Sequence, residues 1–455
     1  MASKTSFLPR SAALRNSGRS RIEKDSLGAS EIPANMYWGI HTLRALQNFP
    51  LTGIQISSYP TLVTAFAQIK HATVLANFDL GLIDEAKKNA MVQACREIEQ
   101  GELLDQFVVD VIQGGAGAST NMNVNEVIAN RALELLGHDR GAYSVIHPNR
   151  HLNMGQSISH VYPTAIKIAV IQTADDLLSS MEYLRNSLAR KALELGNIVA
   201  TGWTKVQNPA PMTLRQEFSA YAAMIDEAEH SIREGLVQLH EVNLGGTPIG
   251  PEINKHPAYE SAVRTHLQQI TGLHLEAAGD PMEASQNCSD FVLFSGSLKR
   301  TAVALSEICS NLQLLASGPK EGSVAINLPP RQTGSTMMPA KADPVIPEAV
   351  NQIAFNVTGN DLTITMAAEA GQLQRRTFEP IIAHSLLASL THLTSACTTL
   401  TERCISGITA NSGHLRLEKD GLGIESEIGQ LVQGRGDGTN EVLFGTETLR
   451  HLHGE

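Results

Sequence analysis

Thr164–Leu195, reading TAIKIAVIQTADDLLSSMEYLRNSLARKALEL, runs without a Gly or a Pro. Apolar residues recur along it at steps of three and four: Ile168, Ile171, Leu177, Leu178, Met181, Leu184 and Leu188. That spacing winds one apolar stripe around a helix, and it predicts an amphipathic rod about 45 Å long at about 1.5 Å per residue. Comparable stretches are Leu214–Glu234, Ser297–Ser317 and Ile381–Ser406, and Pro347–Asn356 begins another. Long helices that return on one another read as an up-and-down bundle. Shorter helices are expected over 61–78 and 84–100, separated by Gly-rich turns.

The chain has 455 residues, too many for one small core, so two or three domains or one very long helical unit are expected. Aromatic residues make up only 4%, while Ala, Leu and Ser abound, which suits close-packed helices better than a β-sandwich. A net charge of −11 argues against general nucleic-acid binding, which needs clustered Lys and Arg. No apolar run reaches the ~18 residues that span a bilayer. Cys95, Cys288, Cys309, Cys397 and Cys404 are odd in number and lack paired spacing. They fit buried thiols in a reducing compartment, with the cytoplasm as the default. The first 22 residues hold no Asp or Glu but several Arg and Ser, fitting either a mobile basic arm or a transit segment. The composition divides the chain into a basic arm (1–20), an N-terminal domain (21–157), a central helical domain (158–411) and a short C-terminal domain (412–455). After Asn411 the chain turns rich in Gly and charge, with little left to build a core.

Chemistry concentrates in three segments far apart in sequence. Gly334-Ser335-Thr336-Met337-Met338-Pro339-Ala340-Lys341-Ala342-Asp343-Pro344 brackets a hydroxyl pair between Gly and Pro and adds a cation. Such a shaped loop suits recognition of a carboxylate or of a developing oxyanion, although alone it could be an ordinary polar turn. Gly114-Gly115-Ala116-Gly117-Ala118-Ser119-Thr120-Asn121-Met122-Asn123 lets backbone NH groups approach an anion, with hydroxyl and amide donors beside them. Taken alone it could equally be a loop and helix cap. The remaining segment is Gly202-Trp203-Thr204-Lys205-Val206-Gln207-Asn208-Pro209, and Gln156-Ser157-Ile158-Ser159-His160 lies upstream of it. The histidines show no metal-ligand spacing, and there is no Walker-type loop or dinucleotide fingerprint.

Together these segments resemble the aspartase/fumarase superfamily over roughly residues 21–411, and the details look closer to aspartase than to fumarase. The resemblance implies a mainly α, three-domain fold whose central long-helix bundle tetramerises, with each active site drawing on three chains. It implies a cofactor-independent lyase acting on a small dicarboxylate or amino acid, with no metal. It also implies roles residue by residue. Ser335 stands where the family has its general base, removing a proton beside a carboxylate, with Lys341 and Lys205 as the other reacting or charge-stabilising groups. Substrate contacts fall on Ser119, Asn121, Ser157, Ser159, Thr204, Thr336, Met338 and Asp343. Glu348, His160, Ala118 and Ile158 are expected beside or behind them.

Several positions depart from the family pattern. Ala118 and Ile158 replace threonines, Ser159 replaces Asn, His160 replaces Asp, Lys205 replaces His, Trp203 replaces Arg and Asp343 replaces Asn. Two lost hydroxyl donors are worth about 1.5–3 kcal/mol each when they bind a charged group. A Lys205–Glu348 ion pair is expected from the substitution at 205, the alternative being a solvated lysine. Asp343 either pairs with Lys341 or Lys205, carries a proton, or faces a cationic group of the substrate. Aspartate or a modified aspartate is the expected substrate. A non-catalytic homologue, or a bundle repurposed for isomerisation or cyclisation, are the alternatives.

Overall fold

The computed structural model describes residues 18–196, 198–201, 211–245, 257–317, 325–333, 343–371, 373 and 376–411. It is mainly helical. In chain order the helices are α1 (Ile40–Asn48), α2 (Pro60–Asp79), α3 (Glu85–Glu99), α4 (Ala118–Leu135), α5 (Ile158–Leu195), α6 (Leu214–Val237), α7 (Tyr259–Thr271), α8 (Ser289–Ala316), α9 (Val345–Glu369) and α10 (Glu379–Arg403). Strands are short and pair two at a time. The longest pair, Ser20–Asp25 with Gly28–Pro33, is antiparallel and in register from Ser20 opposite Pro33 to Asp25 opposite Gly28.

Local chemistry sets the helix ends. Asp84 caps α3 by accepting the Lys87 NH at 2.9 Å. A reciprocal Thr213–Gln216 capping box opens α6. Pro60 and Pro380 occupy first-turn positions of α2 and α10, where a missing NH costs nothing. Two boundaries differ from the periodicity. The helix expected from Thr164 begins at Ile158, with Pro163 inside it. Pro163 falls early in the helix, where only the Ser159 carbonyl loses its intrahelical donor, so the helix continues through it. Likewise α8 begins at Ser289 rather than Ser297, because Gly296 is accommodated within the helix at the usual cost of about 1 kcal/mol.

Five helices close a ring. α5 packs on α6 and α10, α6 on α8, α8 on α9, and α9 on α10. Their inward stripes supply Leu177, Leu184, Leu188, Phe218, Ile225, Phe294, Leu305, Leu390 and Leu393, all buried. Beside the ring, α2 packs on α3, α5 and α7, and α4 packs on α3 and α1. Phe66 of α2 meets Tyr162 of α5 edge-on, centroids 5.4 Å apart. Glu126 of α4 is fully buried and serves as the cap of α1: it accepts from the NH groups of Gly39, His41 and Thr42 and from the Thr42 hydroxyl. All five cysteines are buried and unpaired. No described helix is long and apolar enough to cross a membrane.

Candidate active site

The beginnings of α4 and α5 form the described part of the site. Ahead of α4 the chain passes through three consecutive left-handed residues, Gly115, Ala116 and Gly117, with φ of +84°, +53° and +80°. Ala116 holds a conformation that costs an L-residue about 1–2 kcal/mol. Gly117 has no alternative: a Cβ there would lie 2.1 Å from the Tyr162 ring. The turn is locked by Gln113, whose amide accepts from the Thr120 NH and donates to the Thr120 hydroxyl, each at 2.9 Å. The cap residue Gly117 has no side chain, so Gln113 supplies the one side-chain bond to the first turn of α4 among the described residues, and Ser119 is half-buried there.

At α5 the cap residue is Ser157, extended at φ −106° and ψ 143°, and its hydroxyl makes no capping bond. Ile158 and Ser159 are half-buried in the first turn. The Thr120 NH is taken by Gln113 and the Ala118 NH by the Gly115 carbonyl. The donors left without a partner among the described residues are the NH groups of Ser119 in α4 and of Ile158 and Ser159 in α5, at the positive ends of two helix dipoles.

One side chain joins the two starts. Lys70 of α2 is completely buried, and its ammonium donates to Asn121 Oδ1 at 2.7 Å, Gln156 Oε1 at 2.8 Å and Asn153 Oδ1 at 3.2 Å. Asn121 Nδ2 donates to the same Asn153 oxygen at 3.0 Å. Burial pushes the ammonium down to about 7. The Asn121 amide, expected to touch substrate, is thus committed to protein partners, while Ser119 two residues earlier keeps its hydroxyl unbonded among the described residues. Sequence reasoning passed over Lys70, Asn153 and Gln113. The signal was a lysine inside Ala65-Phe66-Ala67-Gln68-Ile69-Lys70, a helix buried almost all round.

Behind α5 lies a second polar layer. His160 is buried, with Nε2 3.4 Å from the Ser285 hydroxyl, which also receives Asn243 Nδ2 at 3.0 Å. Lys167 donates to Asp290 at 2.6 Å and to the Glu241 carbonyl at 2.7 Å, tying α5 to the start of α8. Glu379, first residue of α10, is fully buried 3.5 Å from Arg376, and neither carboxylate oxygen has a hydrogen-bond partner among the described residues. Burial pushes its carboxyl up to about 8 against the pull of Arg376.

Asp343 and Glu348 stand elsewhere, exposed at the start of α9, where the Asp343 carbonyl accepts the Val345 NH at 2.8 Å. Ser335, Thr336, Met338, Lys341, Lys205 and Thr204 lie outside the described residues, as do 1–17 and 412–455. The expected Lys205–Glu348 pair therefore has one member placed. An open groove of about 560 Å³ lined by Arg21, Ala34, Glu134, Gly137, His138, Asp139 and Arg140 contains none of the expected site residues. Its arginines are spent on carboxylates and carbonyls: Arg140 on Glu134, Arg21 on Glu23 and the carbonyls of Met36 and Trp38. It is a structural groove.

Known proteins share this fold. A family model described as "Lyase" matches residues 28–359. Aspartate ammonia-lyase of Pseudomonas aeruginosa is 51% identical over 393 residues, which cover 86% of this chain and 83% of the relative. Aspartate ammonia-lyase of Escherichia coli K12 is 46% identical over 392 residues, covering 86% and 82%. Among solved structures, a fumarate lyase:delta crystallin from Brucella melitensis superposes with a TM-score of 0.84 at 44% identity, covering 91% of this chain and 96% of that one. A class II fumarase from Schistosoma mansoni gives 0.84 at 32% identity, covering 88% and 87%.

Proposed function

The chain belongs to the aspartase/fumarase superfamily and is an aspartase-like lyase, and from that premise we propose that it eliminates ammonia from aspartate, or an amine from a close aspartate derivative, to leave fumarate or a related unsaturated acid. The observation that carries this reading is the meeting of two helix starts, bearing Ser119 and Ser157, around one buried cation. That geometry suits a carboxylate, and the relatives named aspartate ammonia-lyase support elimination of ammonia from an amino dicarboxylate.

In the proposed reaction the Ser335 alkoxide takes the proton beside one carboxylate. The electron pair moves into that carboxylate as an enediolate, then forms the double bond as the C–N bond breaks and the amine departs. Proton and electrons balance without a redox partner, so no step calls on a cofactor. A serine hydroxyl ionises only in a dry field of donors and positive charge, which Lys341, Lys205 and the loop's NH groups would supply. Ser157, Ser159, Thr204, Thr336 and Met338 would line the substrate, Glu348 would steady Lys205, and Asp343 would face the substrate's ammonium. The exposed position of Asp343 and Glu348 on one protomer fits a site completed by neighbours, and we propose a homotetramer with sites shared between subunits. Five buried thiols fit a reducing cytoplasm.

The test incubates the purified protein with aspartate, argininosuccinate and malate separately, and with fumarate plus ammonia, while fumarate absorbance is followed. Fumarate released from aspartate and consumed only with ammonia is the expected result. Silence with every substrate overturns the proposal.

A further inference from the structure

Lys70 presents an electrostatic problem that packing alone does not solve. Its ammonium is buried without a counter-ion, an arrangement that costs several kcal/mol unless something compensates it. Three amide oxygens satisfy its three N–H groups but cancel no charge. Every packed element agrees in this. From α3 the neighbouring titratable group is Cys95, whose thiol burial holds well above its usual range. His71, next along α2, is turned onto Glu99 at 3.0 Å. α4 offers the neutral amides of Asn121 and Asn125, and the 153–156 turn offers two more. Tyr162 of α5 and Tyr259 of α7 are phenols raised by burial. Among the described residues no carboxylate pairs with Lys70. Through Asn121 and Gln156 the charge is tied to the starts of α4 and α5.

We infer that Lys70 is a positioning residue that waits for the substrate's carboxylate: it fixes Asn121 and the 153–156 turn, and it keeps the cleft at the starts of α4 and α5 electropositive until an anion completes the charge balance. The inference rests on the proposed elimination and names a group through which the cleft selects a dianion. A methionine would fill the same space without the charge, so packing alone gives no reason for the ammonium. Its direction with pH follows. The ammonium is present below about 7 and is lost as pH rises, so the cleft's hold on an anion weakens over a range in which the carboxylates stay ionised.

The experiment measures fumarate binding without ammonia by calorimetry between pH 6 and pH 9, with kcat and KM on aspartate alongside, for full-length wild type, Lys70→Met and Asn153→Asp. Wild type is expected to lose about tenfold in fumarate affinity across that range. In Lys70→Met the binding is weak and flat with pH, and KM rises at least tenfold, more than kcat falls. Asn153→Asp places a fixed counter-charge beside Lys70 and weakens fumarate while leaving the lysine in place. A folded Lys70→Met variant with wild-type affinity and wild-type pH dependence overturns the inference. Should that variant fail to fold, unchanged fumarate affinity in Asn153→Asp overturns it instead. A wild type that releases no fumarate from aspartate but binds fumarate with the expected pH dependence sinks the proposed function and leaves Lys70 its role. A wild type that binds no fumarate sinks both.

Discussion

At the scale of single residues, Ala118 and Ile158 place apolar carbon at two helix starts whose other features all favour an anion. Ala118 is exposed at the mouth of α4, and Ile158 is half-buried at that of α5 with one side packed against the core. Restoring hydroxyls there adds donors to a charged carboxylate at about 1.5–3 kcal/mol each. If aspartate is the natural substrate, Ala118→Thr with Ile158→Thr raises kcat/KM on aspartate by tenfold or more; a fall would mean that the pocket is shaped for a bulkier, less polar group. Ser335, Lys341 and Lys205 stand out in sequence as motif positions, since special-backbone residues and hydroxyls announce themselves, but they lie outside the described residues and their roles are proposals. Lys70 was not legible. Its partners come from two segments, 51 to 86 positions further along the chain, and no local pattern encodes such a meeting.

At the scale of elements, the starts of α4 and α5 carry the described part of the proposed site, and the start of α10 carries a buried acid. Long helices were readable because a 3.6-residue stripe survives over many turns, whereas starts were misplaced wherever Pro163 or Gly296 was accommodated inside a helix. Glu379 at the start of α10 leads to a stability prediction. Its carboxyl, pushed up to about 8, keeps a proton that the unfolded chain gives up near 4.3. The stabilisation by that proton is complete at acid pH and is lost as pH rises through about 8, amounting to on the order of 3–5 kcal/mol at about 1.4 kcal/mol per unit. Glu379→Gln removes this slope. Denaturant melts at pH 5 and pH 8.5 should show the variant gaining on wild type at the higher pH; parallel losses would contradict the buried-acid description. The Gly117 turn gives a sharper expectation. Gly117→Ala drives a methyl into Tyr162 and should lower stability by several kcal/mol, read in the same melts.

At the scale of the whole molecule, the ring of five helices leaves apolar groups facing outward. Phe355, Leu362 and Met366 on α9 are 66%, 61% and 63% exposed, and Leu293, Val303 and Leu314 on α8 add to the same wall. Large exposed apolar faces mark association. Phe355→Asp with Leu362→Asp is expected to convert the proposed tetramer into smaller species by light scattering and to cost most of the turnover, because the start of α9 must meet its partners. A variant that stays tetrameric and active would place the contact elsewhere. The family fold was readable from sequence, but the proposed assembly of a site from several copies would leave no mark within one chain beyond an unburied stripe. The central claim nevertheless concerns one atom, the Ser335 hydroxyl oxygen as base. Its most direct measurement follows fumarate release from aspartate, and wash-in of solvent deuterium at the carbon beside the attacked carboxylate, in wild type and Ser335→Ala. The account predicts that both vanish in the variant while the fold and fumarate binding persist. Undiminished release or exchange in Ser335→Ala would contradict it.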